Sequence, residues 1–521
     1  MPTFGFVIDN RKCIGCHACT VACKSEHQVP IGVDRTWVKY IEKGTFPNNR
    51  RLFTVMRCNH CEFAPCVAIC PVTALHTRDD GVVDFNSDRC IGCKACLQAC
   101  PNDALYIDPN TSTAAKCNFC THRLEIGLQP SCVAVCPEQA IIAGDMSDPN
   151  AEISRLLARH PVQVRKPEKG TRPKLFYIEG DEAALVPTRA AADGRGMWSR
   201  GAYVATDGSP AEPRSLPAGN GAALARQSLP VVGVEAAPRR AYDVRPRAPA
   251  WGWEVVGYTW SKAIASGAFL AVVASRLLAG PGAAGALEMA LGFVALLFLT
   301  VTAGLLVMDL KQPKRFLYVL LRPQWRSWLV RGAYGLTGFG LVLTLWLVAA
   351  LAGADRLGDL LLGPGAVLAV FSAVYTAFLL AQAKGRDFWQ NPLLSVHLLA
   401  HALVAGAAVW LVAATLARQE ADSARLVLLA TLVFSVVILL AEIWTAPLTN
   451  DARLAMDWIL DRRKMGNWFW LGGVGLGHVL PLVLLLTGVD FAIAVAALTA
   501  LAGVLVIEWL WILAPQQVPL S

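Results

Sequence analysis

Apolar residues are distributed in two different ways along this chain. Residues 1–250 mix polar and apolar positions over short distances and read as soluble, whereas residues 251–515 are almost continuously apolar. A helix needs about 20 apolar residues to cross the hydrocarbon layer of a bilayer. Eight segments meet that length, at roughly 256–278, 284–310, 328–353, 361–383, 392–417, 424–444, 467–488 and 491–514. An even number of spans puts the N-terminal part and Ser521 on one side of the membrane. Between the halves, residues 182–250 are rich in Ala, Pro, Arg and Gly without a sustained apolar period, the composition of a tether. The expected organisation is an α+β soluble domain over 1–181, a linker over 182–250 and an all-α bundle of eight transmembrane helices over 251–521. Such a join has the look of two proteins fused into one.

Charge sharpens the topology. Loops on the side of the N-terminal part carry Lys311, Lys314, Arg315, Arg322, Arg326, Arg331, Lys384, Arg386, Arg453, Arg462, Arg463 and Lys464, against Arg276, Arg356, Arg418 and Arg425 on the other side. The positive-inside rule then points to the inner (cytoplasmic) membrane with the soluble domain in the cytoplasm. The start, MPTFGFVIDNRKCIGC, shows no export signal, which agrees. The same basic loops are also suited to docking the soluble domain. The net charge of +8 gathers near membrane ends and gives no nucleic-acid surface.

All sixteen cysteines lie between Cys13 and Cys136, in four groups. They are CIGCHACTVAC (Cys13, Cys16, Cys19, Cys23), CNHCEFAPCVAIC (Cys58, Cys61, Cys66, Cys70), CIGCKACLQAC (Cys90, Cys93, Cys96, Cys100), and CNFC with CVAVC (Cys117, Cys120, Cys132, Cys136). The first and third are near repeats, as in a duplicated two-cluster ferredoxin. In a C-x2-C-x2-C-x3-C run the first three thiolates hold one iron–sulfur cube and the fourth leaves to serve its neighbour. Pro71, Pro101 and Pro137 follow three of those fourth cysteines, and Lys24 stands at the remaining place. Exchange of group one with four and of two with three gives four ligand sets. These are Cys13, Cys16, Cys19 with Cys136; Cys117, Cys120, Cys132 with Cys23; Cys58, Cys61, Cys66 with Cys100; and Cys90, Cys93, Cys96 with Cys70. Four [4Fe–4S] clusters are expected. Zinc sites use separated CxxC pairs and do not need these triplets. His60 is expected beside a cluster rather than on it.

Residues 4–180, with the contexts CNHCE and CPVTAL and the later AIIAGDMSDPNAEISRLLA and GTRPKLFYIEG, resemble the iron–sulfur subunits of the DMSO reductase and polysulfide reductase families. The resemblance implies a row of clusters conducting electrons between a molybdopterin (Mo/W-bisMGD) catalytic subunit and a membrane subunit. PAWGWEVVGY, MDLKQPKRFLYVLLRPQWRSWLVRGAY and AEIWTAPL make the membrane half similar to NrfD and polysulfide-reductase-type quinone-interacting subunits. TWSKAIASG departs from the small-residue run usual there and puts Lys262 inside the first span.

Ionisable residues inside spans are costly and mark function by default. Glu254, Tyr258, Lys262, Asp309, Arg315, His397, His401 and Glu442 are the quinone-binding candidates, with Glu508 nearby. Tyr258, His397 and Lys262 suit hydrogen bonds to quinone oxygens, and Glu254, Asp309 or Glu442 suit proton exchange. A b-type haem would need facing histidines from two helices, which only His478 with His397 or His401 offers. Trp251, Trp253, Trp444, Trp468 and Trp470 read as interfacial anchors. The chain shows no molybdopterin, flavin or nucleotide motif, so catalytic residues are expected on another subunit. The expected activity is electron relay between that subunit and menaquinone or ubiquinone in the lipid. The alternatives are quinol oxidation towards a cytochrome and redox-driven ion translocation through Lys262, Glu288, Glu442 and Glu508.

Overall fold

The computed structural model describes residues 2–44, 47–192, 238–244, 248–279, 285–419, 421–445, 447 and 449–521. The soluble part is a ferredoxin-type α+β domain built on two four-stranded sheets. In the first, β1 (Phe4–Asp9) runs parallel to β10 (Leu175–Ile178) and antiparallel to β8 (Ile141–Asp145), with β9 (Val162–Gln163) at the edge. In the second, β2 (Thr36–Lys43) and β3 (Arg50–Arg57) form a long hairpin. Two short hairpins, β4 (Leu75–Thr77) with β5 (Val83–Phe85) and β6 (Leu105–Ile107) with β7 (Ala114–Lys116), follow the second and third cysteine groups.

The segment read as a tether contributes structure at both ends. Glu182–Leu185 is a helical turn capped by Asp181, and the strands β11 (Ala191–Ala192) and β12 (Arg239–Tyr242) extend the second sheet beyond β2. Backbone groups along the open edge of β2 favour such pairing, which composition does not report. Residues 193–237 and 245–247 of the expected linker lie outside the described residues.

Among the described residues, eight helices are long and apolar enough to cross a membrane. They are Trp253–Ala279, Ala286–Met308, Trp328–Leu351, Asp355–Gln382, Leu394–Leu416, Asp422–Trp444, Trp468–Leu486 and Asp490–Leu513. The seventh winds as a π-helix over Trp468–Val479 before returning to α. Bilayer interiors give no hydrophobic drive for helix association, so close packing of small residues does the work. The first and fifth spans meet backbone to backbone. A Cβ added at Gly267 would lie 2.0 Å from the Ala402 carbonyl oxygen, and one at Gly406 would lie 2.1 Å from that of Gly267. Gly477 and Gly503 bring the seventh and eighth spans together in the same way. The fifth span is the most buried of the eight.

Gly267→Leu is expected to destabilise the bundle by about 3 kcal/mol or more, because helix backbone cannot yield as a side chain does. Gly304→Leu, where an added Cβ meets nothing within 4 Å, is expected to stay within about 0.5 kcal/mol of the parent. Thermal unfolding of the two variants in the same detergent checks the pair.

Candidate functional site: four cysteine sites and a membrane cavity

The cysteine loops owe their shape to left-handed backbone positions. Gly15 and Gly92 have φ of 73° and 70°, and His17 and Lys94 take φ of 62° and 61° just before the helices Ala18–His27 and Ala95–Ala99. Amides from these turns and from the adjoining backbone point at sulfur. Gly92 N and Ala114 N both donate to Cys90 Sγ at 3.4 Å, and Ala140 N donates to Cys136 Sγ at 3.2 Å.

Four clusters of thiols result. Cys13, Cys16, Cys19 and Cys136 line one small cavity, and Cys70, Cys90, Cys93 and Cys96 line another. Cys58, Cys61 and Cys66 act on Cys100, and Cys117, Cys120 and Cys132 on Cys23, at electrostatic range. The four sites fall in a row. Cys19 in the first lies within electrostatic reach of Cys132 in the second, Cys117 in the second of Cys58 in the third, and Cys96 in the fourth of Cys66 in the third. One end of the row, at Cys16, is exposed. The other end abuts the membrane half.

The site chemistry fits iron–sulfur clusters. Burial pushes the Cys19 and Cys61 thiols up to about 12 and the Cys23 and Cys100 thiols up to about 11. As ligands they must be deprotonated, and bound cations reverse that burial effect. Arg57 supplies buried positive charge. Its Nη1 donates to Cys132 Sγ at 3.0 Å, while Nε and Nη2 are buried without a protein partner. The fully buried Lys116 donates to the carbonyls of Val83 and Cys117. Neither basic residue announces itself in the sequence, since a lone Arg or Lys in a strand carries no ligand spacing. His60 contacts no cysteine by hydrogen bond; its Nδ1 accepts from Val83 N at 3.2 Å.

The fourth thiol site sits on the membrane bundle. Lys94 Nζ meets Asp309 Oδ1 at 2.6 Å, both largely buried. Gln312 N donates to the Ile91 carbonyl at 3.1 Å, and Arg315 Nη1 to those of Ser87 and Cys90 at 2.7 and 3.0 Å. Trp251 Nε1 donates to the Cys93 carbonyl at 3.2 Å. Trp251 is thus a buried docking residue rather than an interfacial anchor, while Trp253, Trp444, Trp468 and Trp470 are exposed.

Beneath that contact lies a cavity of about 470 Å³ between the first four spans. Ile91 and Cys93 of the fourth thiol site form its roof, with Trp251, Tyr258, Asp309 and Tyr375 as its polar wall. Most of the remaining lining is apolar. Thr300, Ala303, Thr337 and Thr344, on the exposed faces of the second and third spans, make it open sideways towards lipid. The three threonine hydroxyls are satisfied by carbonyls four residues back, as a lipid-facing position requires.

The structure therefore divides the sequence candidates. Tyr258 and Asp309 line the cavity. Arg315 grips the Cys90 loop, and Glu254 lies half-buried within electrostatic reach of Asp309. Lys262, His397, His401 and Glu442 form a separate buried group with Glu508, behind the cavity wall. His478 has both ring nitrogens engaged, with Ser435 Oγ at 2.9 Å and the Gly473 carbonyl at 2.9 Å, leaving none for a haem iron. Tyr375 gives no signal in the sequence, because its span is ordinary in composition.

A row of thiol sites ending on a lipid-open cavity defines a membrane-anchored iron–sulfur electron-transfer protein. The family described as "Polysulphide reductase, NrfD" matches residues 244–520, more than half the sequence, and this protein belongs to that family. A 4Fe-4S dicluster domain matches residues 50–146. The N-terminal part is 44% identical over 188 residues to the B component of the tetrathionate reductase of Salmonella typhimurium, covering 35% of this chain and 75% of that protein. It is 44% identical over 187 residues to the B component of the polysulfide reductase of Wolinella succinogenes, covering 35% and 97%. It is 35% identical over 224 residues to the arsenate respiratory reductase iron–sulfur subunit of a Shewanella species, covering 33% and 95%. The chain is thus a multi-pass membrane protein that joins an iron–sulfur subunit of this reductase group to an NrfD anchor.

Lys94→Met strands the Asp309 carboxylate in a buried interface. It is expected to weaken docking by about 3 kcal/mol, read as loss of hydrogen-exchange protection at the Lys311 and Gln312 amides that bond the Gly92 and Ile91 carbonyls.

Proposed function

We propose that this chain relays electrons between a catalytic subunit and membrane quinone. The observation that carries the reading is that Cys93 belongs both to the fourth thiol site and to the roof of the cavity. The volume lies within the usual range for small-molecule sites, about 300–1,000 Å³. Its apolar body and few convergent polar groups match a quinone ring with two oxygens.

The sixteen cysteines hold four [4Fe–4S] clusters in the exchanged sets described above, with domain limits near 181 and 250. When bound, the clusters supply one-electron carriers spaced along the row. Arg57 and Lys116 keep compensating charge inside the domain. Trp251 and the Lys94–Asp309 pair hold the last site against the cavity. Tyr258 and Tyr375 present hydroxyls to a quinone oxygen, and Asp309 stands where a proton is exchanged at the cluster side.

The exposed end at Cys16, flanked by the exposed Ile14 and Val21, is where a catalytic partner docks. The partner proposed is a molybdenum or tungsten bis-pterin subunit acting on a sulfur or arsenic compound, the substrate type named in the relatives. The cluster side faces the cytoplasm. Arg315 and Arg386 are committed to holding the soluble domain, yet Lys314, Arg322, Arg331, Arg462, Arg463 and other basic residues remain exposed there, so the charge bias persists.

Metal analysis of the purified chain is expected to find about 16 irons per molecule, four per cluster; about half that number would remove two clusters from the row. Tyr258→Phe is expected to slow oxidation of dithionite-reduced protein by a menaquinone analogue roughly 100-fold, with cluster spectra unchanged. An unaltered rate would take Tyr258 out of the site.

A further inference from the structure

Behind the cavity lies a buried polar group that electron transfer by itself does not need. His397 and His401, one turn apart on the fifth span, have ring centroids 4.1 Å apart. Each is held by a carboxylate from a different helix. His397 Nδ1 is 2.7 Å from Glu442 Oε2 on the sixth span, and His401 Nδ1 is 2.8 Å from Glu508 Oε1 on the eighth. All four residues are at most 2% exposed. The Nε2 atoms of both rings and Glu442 Oε1 are buried and make no hydrogen bond to the protein. The carboxylates fix the ring orientations and leave two basic nitrogens free.

The group is connected to the cavity wall. Lys262, on the first span, interacts electrostatically with Glu508 and donates from Nζ to Thr376 Oγ1. The same Nζ lies 4.6 Å from the ring centroid of Tyr375, a cavity-lining residue. Tyr258 and Tyr375 both reach Thr376. His478 on the seventh span also lies within electrostatic reach of both rings, and its own nitrogens are occupied. The second span adds no charge here, since its Glu288 pairs with Arg276 towards the opposite end. Trp511 stacks on His397 at 4.9 Å and closes the group on the remaining side.

Charge counting gives the group a capacity. With both imidazoles neutral, Lys262 protonated and both carboxylates ionised, the group sums to one negative charge. One added proton brings the sum to zero, whereas a second would set two imidazolium rings in contact and a divalent cation would leave a positive excess. Net charge inside a membrane domain is costly in either direction. Two sites this close also titrate as a pair.

We propose that His397 and His401 share one exchangeable proton, passed between the pair and the quinone cavity by way of Glu508, Lys262 and Thr376. The proposal rests on the cavity being the quinone site. When a quinol is oxidised there, two O–H bonds break and two electrons leave singly for the iron–sulfur clusters. One proton is taken up by the imidazole pair, entering from the Glu508 side, and the other departs at Asp309 on the cluster side. Quinone reduction runs the same transfers backwards. Glu442 is a positioning residue that holds the His397 ring, whereas Glu508 both holds the His401 ring and carries the proton.

The test uses the full-length, cluster-loaded chain in lipid nanodiscs. With 15N-histidine labelling, magnetic resonance across about pH 5 to 9 is expected to show one proton taken up by the pair, its signals altered together in both His397→Gln and His401→Gln. Rings that stay neutral throughout, two protons taken up independently, or a stoichiometric zinc or other transition metal at the pair in the purified protein would each overturn the proposal. In kinetics, Glu508→Gln is expected to slow quinone-driven oxidation of reduced clusters by roughly tenfold or more and to change its pH profile. Affinity for a fluorescent quinol analogue should stay within about threefold, with Glu508→Asp restoring the rate. A Glu508→Gln rate and pH profile like the parent's would also overturn it. If no quinone oxidises the reduced parent protein, the cavity reading fails by itself, and the resonance titration alone decides whether the pair shares one proton.

Discussion

The arrangement of this protein depends on the seat of the third cysteine loop on the bundle. Cys90–Cys96 lies against the turn that follows the second span, where backbone meets backbone. A Cβ at Gly92 would come within 2.6 Å of Lys311 Cβ and 3.0 Å of its amide nitrogen. The contact is as tight at Gly385, whose amide donates to the Gln98 carbonyl. The distance from the last thiol site to the cavity is thus held by main chain in direct contact, by the Arg315 and Trp251 bonds to loop carbonyls and by one buried ion pair. Buried pairs add little net stability but strongly penalise any arrangement that separates them. Lys94 with Asp309 therefore selects this docking more than it strengthens it.

From that seat the polar economy of the membrane half follows. The ionisable groups around the cavity and behind it are near the cluster side, and each has a defined neighbour. Asp309 has Lys94, His397 has Glu442, His401 has Glu508, and Lys262 has Thr376 and the Tyr375 ring. Glu288 and Arg276 at the far end form a pair of their own. A charge in hydrocarbon is tolerated only when paired or hydrogen-bonded, so such pairs gather around and behind the cavity. The glycine crossing at Gly267 and Gly406 makes it possible, because it draws the helix bearing Lys262 against the helix bearing both histidines.

The duplication within the soluble domain shows how one motif serves two ends of a conductor. CIGCHAC and CIGCKAC adopt the same turn, with His17 and Lys94 both in the left-handed region. The first copy leaves Cys16 exposed. The second presents Lys94 to the membrane half. The residue at the equivalent place thus contributes, beside the contacts of Gly92, Trp251 and Arg315, to seating the second copy on the chain's own anchor.

Much of this was legible in the sequence, for physical reasons. Ligand spacing is local, so C-x2-C-x2-C declares an iron–sulfur loop without any fold around it, and a span of about 20 apolar residues declares a membrane helix in the same way. The fusion, the eight spans and the choice of Tyr258 and Asp309, which line the cavity, as candidates came from such local signals. What tertiary structure alone decided was pairing across distance. That Lys262, His397, His401 and Glu442 form a group behind the cavity rather than its lining depends on helix rotation and crossing, which periodicity does not encode when a span is apolar on every side. That Trp251 is a buried donor to Cys93, that β12 returns to the sheet, and that Arg57 and Lys116 sit among thiols depend on contacts between residues far apart in the chain. Composition gives the kind of each side chain; only packing gives its partner.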